Sequence, residues 1–194
     1  ALSGEIVLDA LLQRLLGLAL EHAGAQRSCM LLVRDGRLLI EATANADEPA
    51  AEILSPALPL ENSDAVPESI VLFAARTQQA VVLDDATRSD VFSQDPYVTR
   101  ARPLAVMALP ILHRAELSGV LYLEHRSLDG VFTPERVSVL SLLASQAAIS
   151  IENARLYADL QSTRDEYQTL YDNALEGLFR ITSNGRLVNA NPTL

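Results

Sequence analysis

The chain has 194 residues, 49% of them hydrophobic, enough for one well-filled domain with extensions. Its 25 acidic against 15 basic side chains leave a net charge of −10 and a pI near 4.7, which argues against nucleic acid and anionic membrane surfaces, both of which select clustered cations. All fifteen basic residues are arginine, so no lysine is present to anchor a nucleotide phosphate or to form a Schiff base.

From Ala1 to about Ala23, Ile6, Leu8, Leu11, Leu12, Leu15, Leu16, Leu18, Ala19 and Leu20 fall at helical spacing and cover more than one face, with Gly24 as the stop. A stripe that wide predicts contacts on two sides, and Leu12 and Leu16 are candidates for a helix partner. Ser28 to Arg34 is a predicted strand, Asp35-Gly36 a hairpin turn, and Arg37 to Ala42 the returning strand. Thr43 to Val66 is expected to be loop, with one short edge strand near Ile53. Pro67-Glu68 opens a helix that runs to about Arg76, its apolar positions being Ile70, Val71, Phe73 and Ala74. Ala80 to Leu83 is expected to be a short buried strand, and Asp84 to about Arg102 irregular or broken helix. Leu104 to Leu112 and Leu117 to Glu124 form a second hairpin about a turn at His113 to Glu116. Hairpins at both ends with helices between them predict an antiparallel sheet with helices packed on it.

Thr133-Pro134-Glu135 is a helix start, with a cap, a proline at the first position and an acid beside the positive end of the dipole. No proline follows until Pro192 and no glycine until Gly177, so a helix running to about Leu178 would reach roughly 65 Å. Leu140, Leu143, Ala147, Ile151 and Ala154 form one stripe. Val139, Leu142, Gln146, Ile149, Asn153 and Leu156 form a neighbouring one, with Leu160, Tyr167, Leu170, Tyr171 and Ala174 continuing at coiled-coil spacing. Two stripes imply two partners, the sheet and a second helix. The expected signalling positions are Leu12, Leu16, Leu142, Ile149, Asn153, Leu156 and Leu160.

No uninterrupted apolar run approaches the roughly 18 residues of a membrane span, no signal-peptide pattern opens the chain, and the single cysteine, Cys29, suits a reducing compartment. The expectation is a cytoplasmic protein. Asp84-Asp85 is a metal or acid/base pair on one reading and a helix cap near Ala86 on the other, the more economical one. With only Asp90 and Asp95 nearby and no suitably spaced histidine, no metal site is expected. Cys29 lies mid-strand and is expected in the core. His22, His113 and His125 are isolated and expected at surface or turn positions.

The strings VPESIVLFAARTQQAVVLDDA (Val66 to Ala86), DPYV (Asp95 to Val98), LPI (Leu109 to Ile111), LSGVLYLEH (Leu117 to His125) and GVFTPERVSVLSLLASQAAISIENARLYADL (Gly130 to Leu160) closely resemble the GAF domains of large bacterial multidomain sensor kinases. In those proteins kinase-like and ATPase-like regions precede the GAF domain and a histidine kinase or a diguanylate cyclase follows it. The tail, from Tyr171-Asp172-Asn173 through Asn184-Gly185-Arg186-Leu187-Val188-Asn189-Ala190-Asn191-Pro192, looks like the opening of a PAS domain. The expected division is a GAF domain over 1–158, a helical linker over 159–177 and a PAS start over 178–194.

The resemblance implies an α+β fold with an antiparallel sheet of about six strands flanked by helices, a small-molecule pocket on one face, and a parallel homodimer built by long terminal helices. Phe73, Phe92, Tyr97, Met107, Leu109 and Tyr122 are the pocket candidates by position in that fold, with Arg76 and Arg100 as anion anchors. They equally suit plain core and solvated arginines. A mostly apolar pocket would take a small aromatic or other apolar effector. Bilin and haem are not expected, since the Cys-x-His-like bilin pattern is missing. Nor is a cyclic nucleotide, whose Asn-Lys-x-Phe-Asp-Glu signature needs a lysine. A methionine-sulfoxide reductase variant of the fold needs more than one cysteine. The function implied is therefore a non-catalytic sensory or regulatory domain, with a ligand-free dimerisation spacer as the alternative. Related sequences end the helix before Gln78-Gln79 with glycine, so that turn is a departure from the pattern.

Overall fold

The computed structural model describes residues 2–48, 50–61 and 63–193. Six strands form one antiparallel sheet: β1 (Arg27–Arg34), β2 (Arg37–Asn45), β3 (Glu52–Pro59), β4 (Val81–Leu83), β5 (Ala105–His113) and β6 (Glu116–His125), in the order β3-β2-β1-β6-β5-β4. Helices α1 (Leu2–Ala23) and α4 (Pro134–Asp172) cover one face, and α2 (Glu68–Thr77) and α3 (Pro96–Ala101) cover the other. A second, two-stranded sheet, β7 (Phe179–Ile181) with β8 (Leu187–Ala190), follows α4.

With both faces covered, β1 and β6 are apolar in continuous runs and show no alternation. The parity of β5 sorts its side chains all the same. Met107, Leu109 and Ile111 join Leu12, Leu16, Met30, Leu140 and Ile151 under the terminal helices. Val106 and Ala108 join Cys29, Leu31, Ile70, Val71, Ala74, Phe92 and Tyr122 under α2 and α3. In β2 the bulge at Glu41 switches parity, so Leu38 and Ile40 face α2 while Ala42 and Ala44 face α1. Gly119 sits on β6, between β1 and β5, where a Cβ would lie 2.2 Å from the Leu31 carbonyl oxygen. Only glycine fits there.

Local chemistry sets the element ends. Gly24, at φ +64°, stops α1 and its N–H donates to the Leu20 carbonyl. Asp35 and Gly36 are both left-handed, the pair a tight hairpin needs, and Arg114 with Ala115 does the same in β5–β6. The turn after α2 forms with Gln78 itself left-handed, at φ 54°, despite the missing glycine. Thr133 caps α4 and its Oγ1 accepts from the Arg136 N–H; hydrogen bonds from its own backbone N–H and from the Thr133 hydroxyl hold the exposed Glu135 carboxyl below its usual range.

Four expectations are corrected. The segment expected to be mainly loop holds an eight-residue edge strand, β3, whose Pro56 and Pro59 are tolerated because one side of the strand has no neighbour in the sheet. The strand at Val81–Leu83 is the opposite edge and not a buried one: Val81 is buried but Val82 is exposed. Helix α4 ends at Asp172, short of Leu178, where the Asn173 side-chain and backbone N–H groups both turn back onto the Thr169 carbonyl. Its length is therefore about 58 Å. Helix α4 is also more apolar than its interrupted runs suggest, since one 18-residue window has a mean hydropathy of 1.2. Its buried residues pack on the protein's own sheet and on α1. Ala1 and the Ile6 side chain lie outside the described residues.

Candidate functional site

On the α2/α3 side, Asp95 joins the two helices. Its Oδ1 accepts from the Tyr97 N–H at 2.8 Å and caps α3. Its Oδ2 accepts from the Ser69 N–H at 3.0 Å and the Ser69 hydroxyl at 2.6 Å, clipping the first turn of α2 to the start of α3. Between these elements lies an open, largely apolar cleft of about 540 Å³ lined by Leu72, Phe73, Arg76, Thr77, Asp95 and Pro96. Phe73 stands half-exposed on its wall, edge-on to Phe92 at 5.6 Å.

Beneath α3 lies a polar cluster in an otherwise apolar layer. Glu124, fully buried, accepts from the Tyr97 hydroxyl at 2.6 Å, the Tyr122 hydroxyl at 2.8 Å and the Arg126 Nε at 2.9 Å. Arg27 donates to the Tyr97 hydroxyl at 3.0 Å and to the Ala65 carbonyl. Burial pushes both tyrosine hydroxyls above their usual range, and the charge of Glu124 adds to the effect. Burial works to lower the Arg27 pKa, but the surrounding Cys29, Tyr97, Glu124 and Tyr122 outweigh it and the net direction is up. The cluster fastens α3 and the chain around Ala65 to β1 and β6. Three intramolecular hydrogen bonds occupy the Glu124 carboxylate.

The expected pocket residues divide between the two sides of the sheet. Phe92, Tyr97 and Tyr122 lie on the α2/α3 side and are buried; Phe73 and Arg76 line the cleft. Met107 and Leu109 are corrected: both point to the opposite face, under α1 and α4, because the alternation of β5 gives the α2 side to Val106 and Ala108. The space between the sheet and α2 is filled by Ile70, Val71, Ala74, Val106 and Tyr122, all fully buried. Arg100 is engaged with Asp64, donating from Nη2 to its carbonyl at 2.7 Å and pairing with its carboxylate, and stacks on Tyr97 at 5.8 Å. Leu12 and Leu16 are also corrected, being core residues of the protein's own domain with no exposed surface to offer a partner.

Asp85 caps the turn at Ala86–Arg88, its Oδ1 accepting from the Thr87 N–H at 2.9 Å and hydroxyl at 2.6 Å. Cys29 is fully buried and burial pushes its thiol up to about 12, the nearby Arg27 opposing and Glu124 reinforcing the shift. His125 is buried and not at the surface: its Nδ1 accepts from the Ser127 and Leu128 N–H groups, at 3.2 and 2.9 Å, and shapes the turn into α4. Among the described residues no group of three or more His, Cys, Asp or Glu is placed to hold a metal ion. Sequence reasoning misses the Glu124 cluster, whose only signal is the pair Tyr122-x-Glu124 on one strand face, with Arg27 opposite in β1.

The second candidate surface is α4. Its buried face ends at Ala154 and Arg155, whose Nη2 donates to the Val33 carbonyl at 2.8 Å. Val139, Leu142, Ile149, Leu156, Leu160, Tyr167 and Leu170 are exposed along the rest of the helix. They fall in two seven-residue series, Val139-Gln146-Asn153-Leu160-Tyr167 and Leu142-Ile149-Leu156-Thr163-Leu170, the a and d positions of a coiled coil. The series runs without a break from the part of α4 on the domain into the part that projects beyond it.

The model of the family described as "GAF domain" matches residues 7–151. Hybrid signal transduction histidine kinase G of Dictyostelium discoideum is 37% identical over 89 residues, 46% of this chain and 3% of that protein. A peroxide stress-activated histidine kinase of Schizosaccharomyces pombe is 25% identical over 158 residues, 80% of this chain and 7% of that protein. The chain thus spans only a small part of the length of either kinase. Among solved structures, the blue-light absorbing form of the Thermosynechococcus elongatus PixJ GAF domain superposes with a TM-score of 0.62 at 16% identity, covering 84% of this chain and 95% of that one, a likeness of fold. With a family model spanning most of its length and the six-stranded, helix-flanked sheet that goes with it, the chain belongs to the GAF domain family.

Proposed function

We propose that the chain is a regulatory, non-catalytic domain of a larger cytoplasmic signalling protein of the histidine-kinase or diguanylate-cyclase kind, and that α4 is its output. In that reading a parallel pair of α4 helices passes the packing state of the domain to the next unit of the chain, a PAS domain begun at β7–β8. The observation that carries it is the two-sided character of α4: one side belongs to the sheet, and the other is a continuous exposed heptad seam. A helix held this way reports any change in the first packing as a change in the second.

Charge supports parallel pairing. The g positions Glu152, Asp159 and Glu166 are all acidic, and the e series carries Arg164. Parallel, in-register helices bring Asp159 of one copy opposite Arg164 of the other, twice per dimer; antiparallel helices bring the acidic series together. Asn153 at an a position favours its own counterpart at the same height.

The input is a small apolar or aromatic effector in the cleft between α2 and α3, with Arg76 as a polar anchor. The filled space between sheet and α2 favours the second reading, a dimerisation spacer with no ligand of its own. Native mass spectrometry of the purified chain, gentle and denaturing, separates the two. A dimer with a mass lost on denaturation supports the effector reading, a clean dimer supports the spacer, and a monomer at micromolar concentration contradicts both.

A further inference from the structure

We propose that Asn191 is a positioning residue that locks the β7–β8 hairpin onto the C-terminal end of α4, so that helix and hairpin move as one piece. The last carbonyls of a helix have no partner within it. Here the Asn191 Nδ2 donates to the carbonyl of Tyr171, in the last turn of α4, at 3.2 Å, and to that of Glu176 at 2.9 Å. Its Oδ1 accepts from the Leu178 N–H at 2.8 Å, and its backbone N–H donates to the Leu178 carbonyl at 2.8 Å. The partners fix the orientation of the amide, because carbonyls only accept and an N–H only donates.

Around this residue the hairpin is exposed on both strands, at Phe179, Ile181, Leu187 and Val188, whereas Asn191 is 4% exposed. An isolated two-stranded hairpin is marginal in water and holds no fixed direction against a helix by itself. The amide supplies what fixes it, with Thr193 adding a hydroxyl bond to the Ala174 carbonyl at 2.7 Å. The site calls for a short side chain with one acceptor and two donors, which only asparagine offers. Every partner is a backbone group, so the lock depends on where the helix ends and not on which side chains surround it. Its consequence for output rests on α4 being the relay, but its geometry does not.

The test is a spin-label distance between Glu166→Cys on α4 and Arg180→Cys on β7, both exposed, in the full chain diluted with unlabelled chain so that only intrachain distances count. Cys29 is buried and stays unlabelled. The parent should give a single narrow distribution, and N191A one about twofold broader while the cross-strand amides of the hairpin remain protected from exchange. Should N191A melt the hairpin, N191D decides: it keeps the acceptor for Leu178 and loses both donors, so the distribution broadens with the strands intact. A narrow distribution in every variant, or a broad one in the parent, overturns the proposal. Dimerisation is scored separately by sedimentation, so failure of the relay reading and failure of the lock are distinguishable.

Discussion

A buried acid is expensive unless its oxygens are satisfied, and Glu124 is satisfied three times over, by Tyr97, Tyr122 and Arg126. Removing it leaves the Tyr97 and Tyr122 hydroxyls without their acceptor, so Glu124→Ala should cost about 3–5 kcal/mol in urea unfolding, and Tyr97→Phe, which removes one donor to Glu124 and an acceptor for Arg27 and Arg126, about 1–2 kcal/mol. Near-equal losses would contradict the central place given to the carboxylate. Cys29 makes a pH prediction. Its thiol ionises near 9.0 when free and near 12 in the fold. Below pH 9 both states hold the proton and stability is unaffected. Between 9 and 12 the unfolded chain releases it while the native one does not, so stability falls as pH rises, by on the order of 4 kcal/mol at the upper end. Cys29→Ala should remove that part of the slope, and an unchanged profile would show the thiol to be accessible.

At the scale of elements, the caps and turns are legible in the sequence because each uses one residue with one job: Thr133, Asp35-Gly36, Gly24, Pro67. The edge strand β3 is not, because prolines and charges suppress the strand pattern on an edge without abolishing the pairing. The assignment of Met107 and Leu109 fails for another reason. Where both faces of a strand are covered, hydrophobicity stops alternating, and parity cannot be read from composition. Gly119 carries a sharp prediction: Gly119→Ala puts a methyl into the Leu31 carbonyl and should cost at least about 3 kcal/mol, with loss of cooperative unfolding if β6 is displaced. Conversely, Gln78→Gly relieves a left-handed residue at the end of α2 and should raise stability by roughly 0.5–1 kcal/mol by thermal melting. A destabilised Gln78→Gly would mean that the bond from its side chain to the Ala115 carbonyl outweighs the backbone term.

For the whole molecule, the long helix is visible in the sequence as an absence of stops, and its two stripes as one buried and one exposed face. Which stripe meets which partner needs the fold: Leu12 and Leu16 read as a seam and are core, whereas Leu142, Ile149, Leu156 and Leu160 are exposed as a seam must be. The candidate cleft is only half legible, since Phe73 and Arg76 meet there while the polar cluster under α3 arises from strand neighbours far apart in the chain. The proposed parallel seam predicts that Asp159→Arg weakens self-association, Arg164→Asp weakens it likewise, and the double exchange restores it, as sedimentation equilibrium would show. The most direct measurement is oxidative cross-linking of Leu156→Cys, a d position at which a parallel, in-register pair brings the two sulfurs within disulfide reach. A parallel relay gives near-complete covalent dimer under mild oxidation, with Cys29 silent. A monomeric product, or dimer only from cysteines placed at unlike heights along α4, would overturn it.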